Sequence, residues 1–255
     1  MDFKNLKKQL TAKRAASAER FLYYNYPMPE KDAPLIWIVA QIASIWIAAE
    51  AGFHILLPAV GIGAKYNDEP IAIAVYYSFW IFVAIVNFWH LYKGWRPVEN
   101  RQSAYALLSL IFAAIIIFIY FVFPLLPAIN WAESWDAPEV MLATPWYFLP
   151  KSIDILLQQL LISALVLAFF AKKYSLRAIS WWSAFIFGGA HLLLVFWGLP
   201  LVFTMWLTLS AVVFALIFPR LILKTPNGFL YSYALHWLYY ALTVITTNLF
   251  YNFNL

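Results

Sequence analysis

The sequence predicts an all-α protein, a bundle of about seven membrane-spanning helices, on three observations. Hydrophobic residues make up 64% of the 255 and charged residues only 11%, whereas a soluble domain carries about 45–50% apolar and about 25% charged residues. The apolar residues gather in runs that reach the ~20 needed to cross a bilayer. The basic residues between these runs alternate between rich and poor loops, as cytoplasmic and outer loops do.

Taken in order, residues 1–33 are polar and basic. They lack the apolar core that follows the first lysines of a signal peptide. Phe3, Leu6 and Leu10 fall at helical spacing with Lys4, Lys7 and Lys8 between them. That spacing fits either a short helix on a membrane surface or a basic cytoplasmic tail. Residues 34–255 then read as one transmembrane domain, with spans at about 35–60, 70–92, 103–127, 145–170, 178–197, 200–222 and 229–251. Trp197-Gly198-Leu199-Pro200 marks a tight turn between the fifth and sixth spans, because glycine and proline interrupt regular backbone.

The loop charges set an expected orientation. Lys4, Lys7, Lys8, Lys13, Arg14 and Arg20 precede the first span. Lys93, Arg96 and Arg101, then Lys172, Lys173 and Arg177, then Arg220 and Lys224 fill every second loop. The alternate loops hold Lys65 against Asp68 and Glu69, and Glu133, Asp136 and Glu139 with no base. Seven spans with the N-terminus cytoplasmic and the C-terminus outside place every charged loop on its preferred side. The net charge of +5 has no block suited to nucleic acid; the lipid bilayer is the expected partner. The absence of cysteine excludes a disulfide framework and a thiol nucleophile. No glycine-rich phosphate loop is present, and the residues name no cofactor.

Polar side chains within the spans are costly in lipid, so each is expected to face protein, water or a ligand. Glu50 and His54, four apart, share a helix face. They read either as a proton-linked pair or half a metal site, or as one carboxylate satisfied by one histidine. A metal needs three or four ligands, which two residues do not supply. His90 is expected at the cytoplasmic interface with no special role. Lys151, Asp154 and Gln158 form one stripe on the fourth span, with Lys151 expected to reach water by snorkelling and Asp154 to pair with it. Gln158 lies about 18 Å along the helix from Trp146, near mid-bilayer. The stripe reads either as interhelical hydrogen bonding or, together with His191 of the fifth span and His236 of the seventh, as the lining of one cavity.

Three short segments carry a resemblance to a family. QQLLIS (158–163), FGGAH (187–191) and HWLYY (236–240) resemble, in order, spacing and placement, the motifs of the CPBP intramembrane peptidases, which include the type II CAAX prenyl endopeptidases and bacteriocin-processing proteins. That family's pattern is Glu-Glu-x-x-x-Arg, then Phe-x-x-x-His, then His-x-x-x-Asn or His-x-x-x-Asp. The resemblance covers about residues 145–245. It implies a site at Gln158, Gln159, Ser163, Phe187, His191, His236 and Tyr240, and a peptide, a lipidated peptide or another membrane protein as partner.

The departures are chemical. A general base must accept a proton, and the amides of Gln158 and Gln159 only exchange hydrogen bonds. Ser163 stands for the family's arginine and Tyr240 for its asparagine or aspartate. Both histidines remain. The expectation is a degraded peptidase site that binds or scaffolds. The first alternative is an active endopeptidase with a displaced base, Asp154 above all, or else His191 or Glu50. The second is a small-molecule or ion permease, or an accessory subunit of a membrane complex. No metal is expected.

Overall fold

The computed structural model of the chain describes residues 34–95, 101–129 and 138–251, and of Phe250 and Tyr251 the backbone alone. The basic segment 1–33 with its expected surface helix lies outside the described residues, as do Arg96, Glu133 and Asp136.

Seven long helices follow one another, with no strand among the described residues: α1 (Leu35–Ala59), α2 (Pro70–Tyr92), α3 (Arg101–Leu125), α4 (Pro145–Ala171), α5 (Leu176–Trp197), α6 (Leu201–Lys224) and α7 (Gly228–Tyr251). The first six are long and apolar enough to cross a membrane. The seventh has 24 residues but is less apolar and falls outside that group, since it carries Ser232, His236, Thr243, Thr246, Thr247 and Asn248. The chain is thus an all-α, multi-pass membrane bundle.

Proline opens four of these helices. Pro34 and Pro200 stand at the N-caps of α1 and α6, Pro70 at the first position of α2, and Pro145 at the short 3₁₀ turn that leads α4. A helix start has no intrahelical use for the missing N–H, and the ring presets φ. At the turn read from Trp197–Pro200, Gly198 adopts φ +86°, a left-handed helix stop that only glycine takes without steric cost.

α4 is the central helix. Of its most apolar stretch 72% is buried, against 11–33% for the other five spans. From Leu160 to Ala171 the helix is apolar all round but for Ser163, which suits that position, and Ile155, Leu157, Ile162, Leu165, Val166 and Leu167 are shielded to within 1%. Around it, α2 is tied by Tyr92, whose hydroxyl donates to the Leu160 carbonyl (2.9 Å). α7 is tied by Trp237, whose indole N–H donates to Ser152 Oγ (3.0 Å). Phe118 of α3 packs edge-on against Phe148 and Trp237, at ring separations of 5.0 and 5.4 Å. Elsewhere α3 is the peripheral helix, with 11% of its apolar stretch buried.

α1, α3 and α5 are not uniform. Each contains one π turn, at Gly52–Leu56, Phe118–Val122 and Ala184–Gly188. α5 then tightens to a 3₁₀ helix from His191 to Trp197. Such irregular turns free backbone groups and re-aim side chains, and they recur at functional positions. Two of the three contain residues singled out above, His54 and Phe187. Gly188 in α5 admits a close crossing: a Cβ there would meet Val212 Cγ2 at 2.5 Å and its Cα at 3.0 Å, the small-residue approach of packed membrane helices.

Candidate functional site

A cavity of about 340 Å³ opens at the end of the bundle where the α1–α2 loop, the start of α4 and the α5–α6 turn meet. Its volume falls at the lower end of ligand-sized cavities, about 300–1,000 Å³. Glu50 and His54 of α1, Lys151, Asp154 and Gln158 of α4, and His191 of α5 all line it, with Tyr66 and Glu139 from the loops and Tyr240 from α7.

The α4 stripe is one connected network. Lys151 Nζ donates to Asp154 Oδ2 at 2.7 Å. Tyr66 OH donates to the same oxygen at 3.1 Å, and Gln158 Nε2 donates to Oδ1 at 3.0 Å. The spacing of three and four places all three α4 residues on one face, and the carboxylate is left with no oxygen lacking a donor. Lys151 does not snorkel. It is 8% exposed, held by Asp154 one turn on and covered by the rings of Tyr240 and Tyr66, at 4.4 and 5.1 Å from Nζ. Those two rings arrive from α7 and the α1–α2 loop, and they close the route to water that the isolated helix would leave open.

Tyr66 shares a further hydrogen bond with Tyr77 (2.9 Å). Burial, and then the charge of Asp154, push the Tyr66 phenol well above its ordinary range, which keeps it a proton-bearing donor. Glu139 accepts a hydrogen bond from the Asn67 backbone N–H at 2.7 Å. Burial raises its carboxyl above the ordinary value, against the opposing pull of that N–H. Asn67 also donates to the Leu142 carbonyl (3.3 Å) and accepts from Thr144 N–H (2.8 Å). One side chain thereby pins the segment before α4 to the α1–α2 loop.

His191 Nδ1 lies 2.8 Å from the Phe187 carbonyl. A carbonyl only accepts, so Nδ1 carries the proton and the neutral ring keeps an Nε2 lone pair. The contact falls where α5 passes from π to 3₁₀ geometry. Phe187 also packs edge-on against the same ring, 4.8 Å away, and Trp46 of α1 lies 5.6 Å from it.

His236 departs from the expectation of one cavity shared by both histidines. It is 5% exposed and is not among the cavity's lining residues. Gln159 Nε2 donates to its Nδ1 at 3.0 Å, and Phe214, Phe218 and Tyr240 surround its ring at 5.6–6.1 Å. An aromatic sleeve and one amide hold the imidazole away from the cavity. Gln159 and Ser163 are likewise fully shielded and outside the lining. The Gln159 carbonyl and the Ser163 hydroxyl have no hydrogen-bond partner among the described residues. Tyr240 lines the cavity with its ring engaged by Lys151.

Glu50 enters the same cavity as the α4 stripe, with its Oε2 3.8 Å from His54 Nε2. That is an ion pair only when the ring is protonated, and too long for a hydrogen bond. The His54 ring stacks on Trp197 at 5.0 Å. Sequence reasoning missed Tyr66, Tyr77 and Trp46. The recurrence of Trp46, Glu50 and His54 every fourth residue was a readable signal for a cavity-facing stripe. Tyr66, 88 residues from Asp154, gave none. Among the described residues, no group of three His, Asp or Glu is arranged to hold a metal ion.

Compared with known proteins, the chain matches no family model, no curated protein and no solved structure.

Proposed function

We propose that the chain is a CPBP-like membrane protein whose cavity binds its ligand without cleaving it, a pseudo-peptidase acting as a binding or scaffold protein. The observation that carries this reading is the state of Asp154. It is the carboxylate closest in sequence to the place where the family's glutamates would stand, and all three of its hydrogen-bonding contacts are internal. Three of the about four acceptor positions of a carboxylate are thereby taken, one of them by the Lys151 ammonium, which leaves at most one for a water. Gln158 and Gln159 lack the basicity to replace it, and His236 is spoken for by Gln159. The alternating loop charges support a cytoplasmic N-terminus, which would open the cavity toward the outer side.

The experiment is incubation of the reconstituted full chain with prenylated and unmodified peptides, read by mass spectrometry. No cleavage is expected. Cleavage by the unmutated protein that His191→Ala abolishes would overturn the reading.

One observation favours the second reading, an active endopeptidase with a displaced base. Asp154, Glu50 and His191 do line a single cavity. That reading requires hydrolysis that disappears in Asp154→Asn or Glu50→Gln and survives Gln158→Ala.

A further inference from the structure

An apolar slot adjoins the polar cavity. The slot, of about 120 Å³, lies between α1, α4 and α5 and shares Trp46 and Gln158 with the cavity. Its remaining walls are hydrocarbon and aromatic, Ile42, Leu161, Ile186 and Phe187 among them. Ile47 and Leu193, also in its wall, are 50% and 42% exposed on the outside of the bundle. On membrane-spanning helices that outside faces lipid, so the slot lies between the bilayer and the Trp46 and Gln158 side chains that it shares with the cavity.

The charge of the cavity says what kind of head group belongs there. Its formal charges are Glu50, Glu139 and Asp154 against Lys65 and Lys151, one negative charge in excess. Lys151 is bound to Asp154, Lys65 turns outward to Asp68 at 4.0 Å, and Glu139 takes the Asn67 N–H. The carboxylate left without a fixed cation is Glu50. Gln158 points the same way: it is 8% exposed, its Nε2 is committed to Asp154, and its Oε1 has no donor. Trp46, Phe53, Tyr147 and Trp197 add ring surfaces to the wall, and aromatic faces attract cations.

We infer that the site takes a single-chain cationic amphiphile, its ammonium head against Glu50 and Gln158 Oε1 and its alkyl chain in the slot beneath Trp46. The inference rests on the binding reading above and names the ligand class for that site. Two features of the ligand are demanded separately: positive charge by the Glu50 carboxylate, which has no fixed cation, beside the donor-less Gln158 Oε1, and a chain by the lipid-facing slot.

The test is equilibrium binding of radiolabelled dodecyltrimethylammonium to the full chain in neutral maltoside micelles. Saturable binding is expected, displaced weakly by tetramethylammonium and not by dodecyl phosphate. Glu50→Gln should weaken it at least about tenfold, as loss of a desolvated charge partner does. Leu193→Trp, which fills the slot, should weaken the dodecyl probe and leave competition by tetramethylammonium unchanged. Absence of saturable binding to the unmutated protein, or equal displacement by dodecyl phosphate, would overturn the inference without recourse to any variant. So would unchanged affinity in a Glu50→Gln protein that keeps its unfolding temperature. Peptide cleavage separates the two failures: a protein that neither cleaves peptide nor binds the ammonium probe loses this inference alone, and one that cleaves peptide loses the binding reading.

Discussion

Gln159 Nε2 stands 3.0 Å from Nδ1 of His236, and this one contact sets the histidine's tautomer. With Nδ1 accepting from the amide, the neutral ring carries its proton on Nε2. Gln159→Leu would leave a buried ring nitrogen unpaired, at a cost of about 1–3 kcal/mol. A lowered unfolding temperature in detergent, with an accompanying change in the His236 ring nitrogen shifts by NMR, is the expected result.

The Lys151–Asp154 pair is buried, so its members depend on each other more than the pair contributes. Lys151→Met strands the carboxylate and should destabilise by about 3–5 kcal/mol, as removal of one partner of a buried pair does. Lys151→Met combined with Asp154→Leu should recover much of the loss, since the stranded charge is gone. Thermal unfolding of the two single variants and the double variant closes the cycle; equal loss in all three would contradict the argument.

Gly188 is a steric prediction. The added methyl of Gly188→Ala would press on Val212, including its backbone, and α5 and α6 would have to part. Overpacking of this kind costs about 1–3 kcal/mol. Gly189→Ala makes the control, because a Cβ there meets nothing within 4 Å; its unfolding temperature should fall far less.

Glu139 gives a pH dependence with a definite sign. Burial raises its folded-state value above the ordinary 4.5. Folding therefore favours the protonated form, and the group's contribution is fully present below about 4.5 and is lost as pH rises through the folded value. Glu139→Gln keeps an acceptor for the Asn67 N–H and cannot ionise. Unfolding temperatures measured from pH 4 to 8 should show the variant gaining on the wild type as pH rises.

Much of the bundle was legible in the residues, because apolar run length and proline or glycine breaks report directly on helices in a bilayer. The spans read at 35–60 and 70–92 meet the observed Leu35–Ala59 and Pro70–Tyr92, and the Gly198 turn falls where it was expected. The α4 stripe was legible too, since Lys151, Asp154 and Gln158 are neighbours by helical geometry alone.

What the sequence determined, then, was each helix and the contacts within it. Tertiary structure decided which faces meet. Helical periodicity does not say that Tyr66 closes on Asp154, that Glu50 joins the α4 stripe, or that Gln159 draws His236 out of the cavity. These depend on how α1, α5 and α7 pack about α4, and packing is fixed by many weak side-chain contacts at once. The same cause ends the snorkelling of Lys151: one helix leaves its ammonium free to reach water, and two tyrosines from elsewhere in the chain do not.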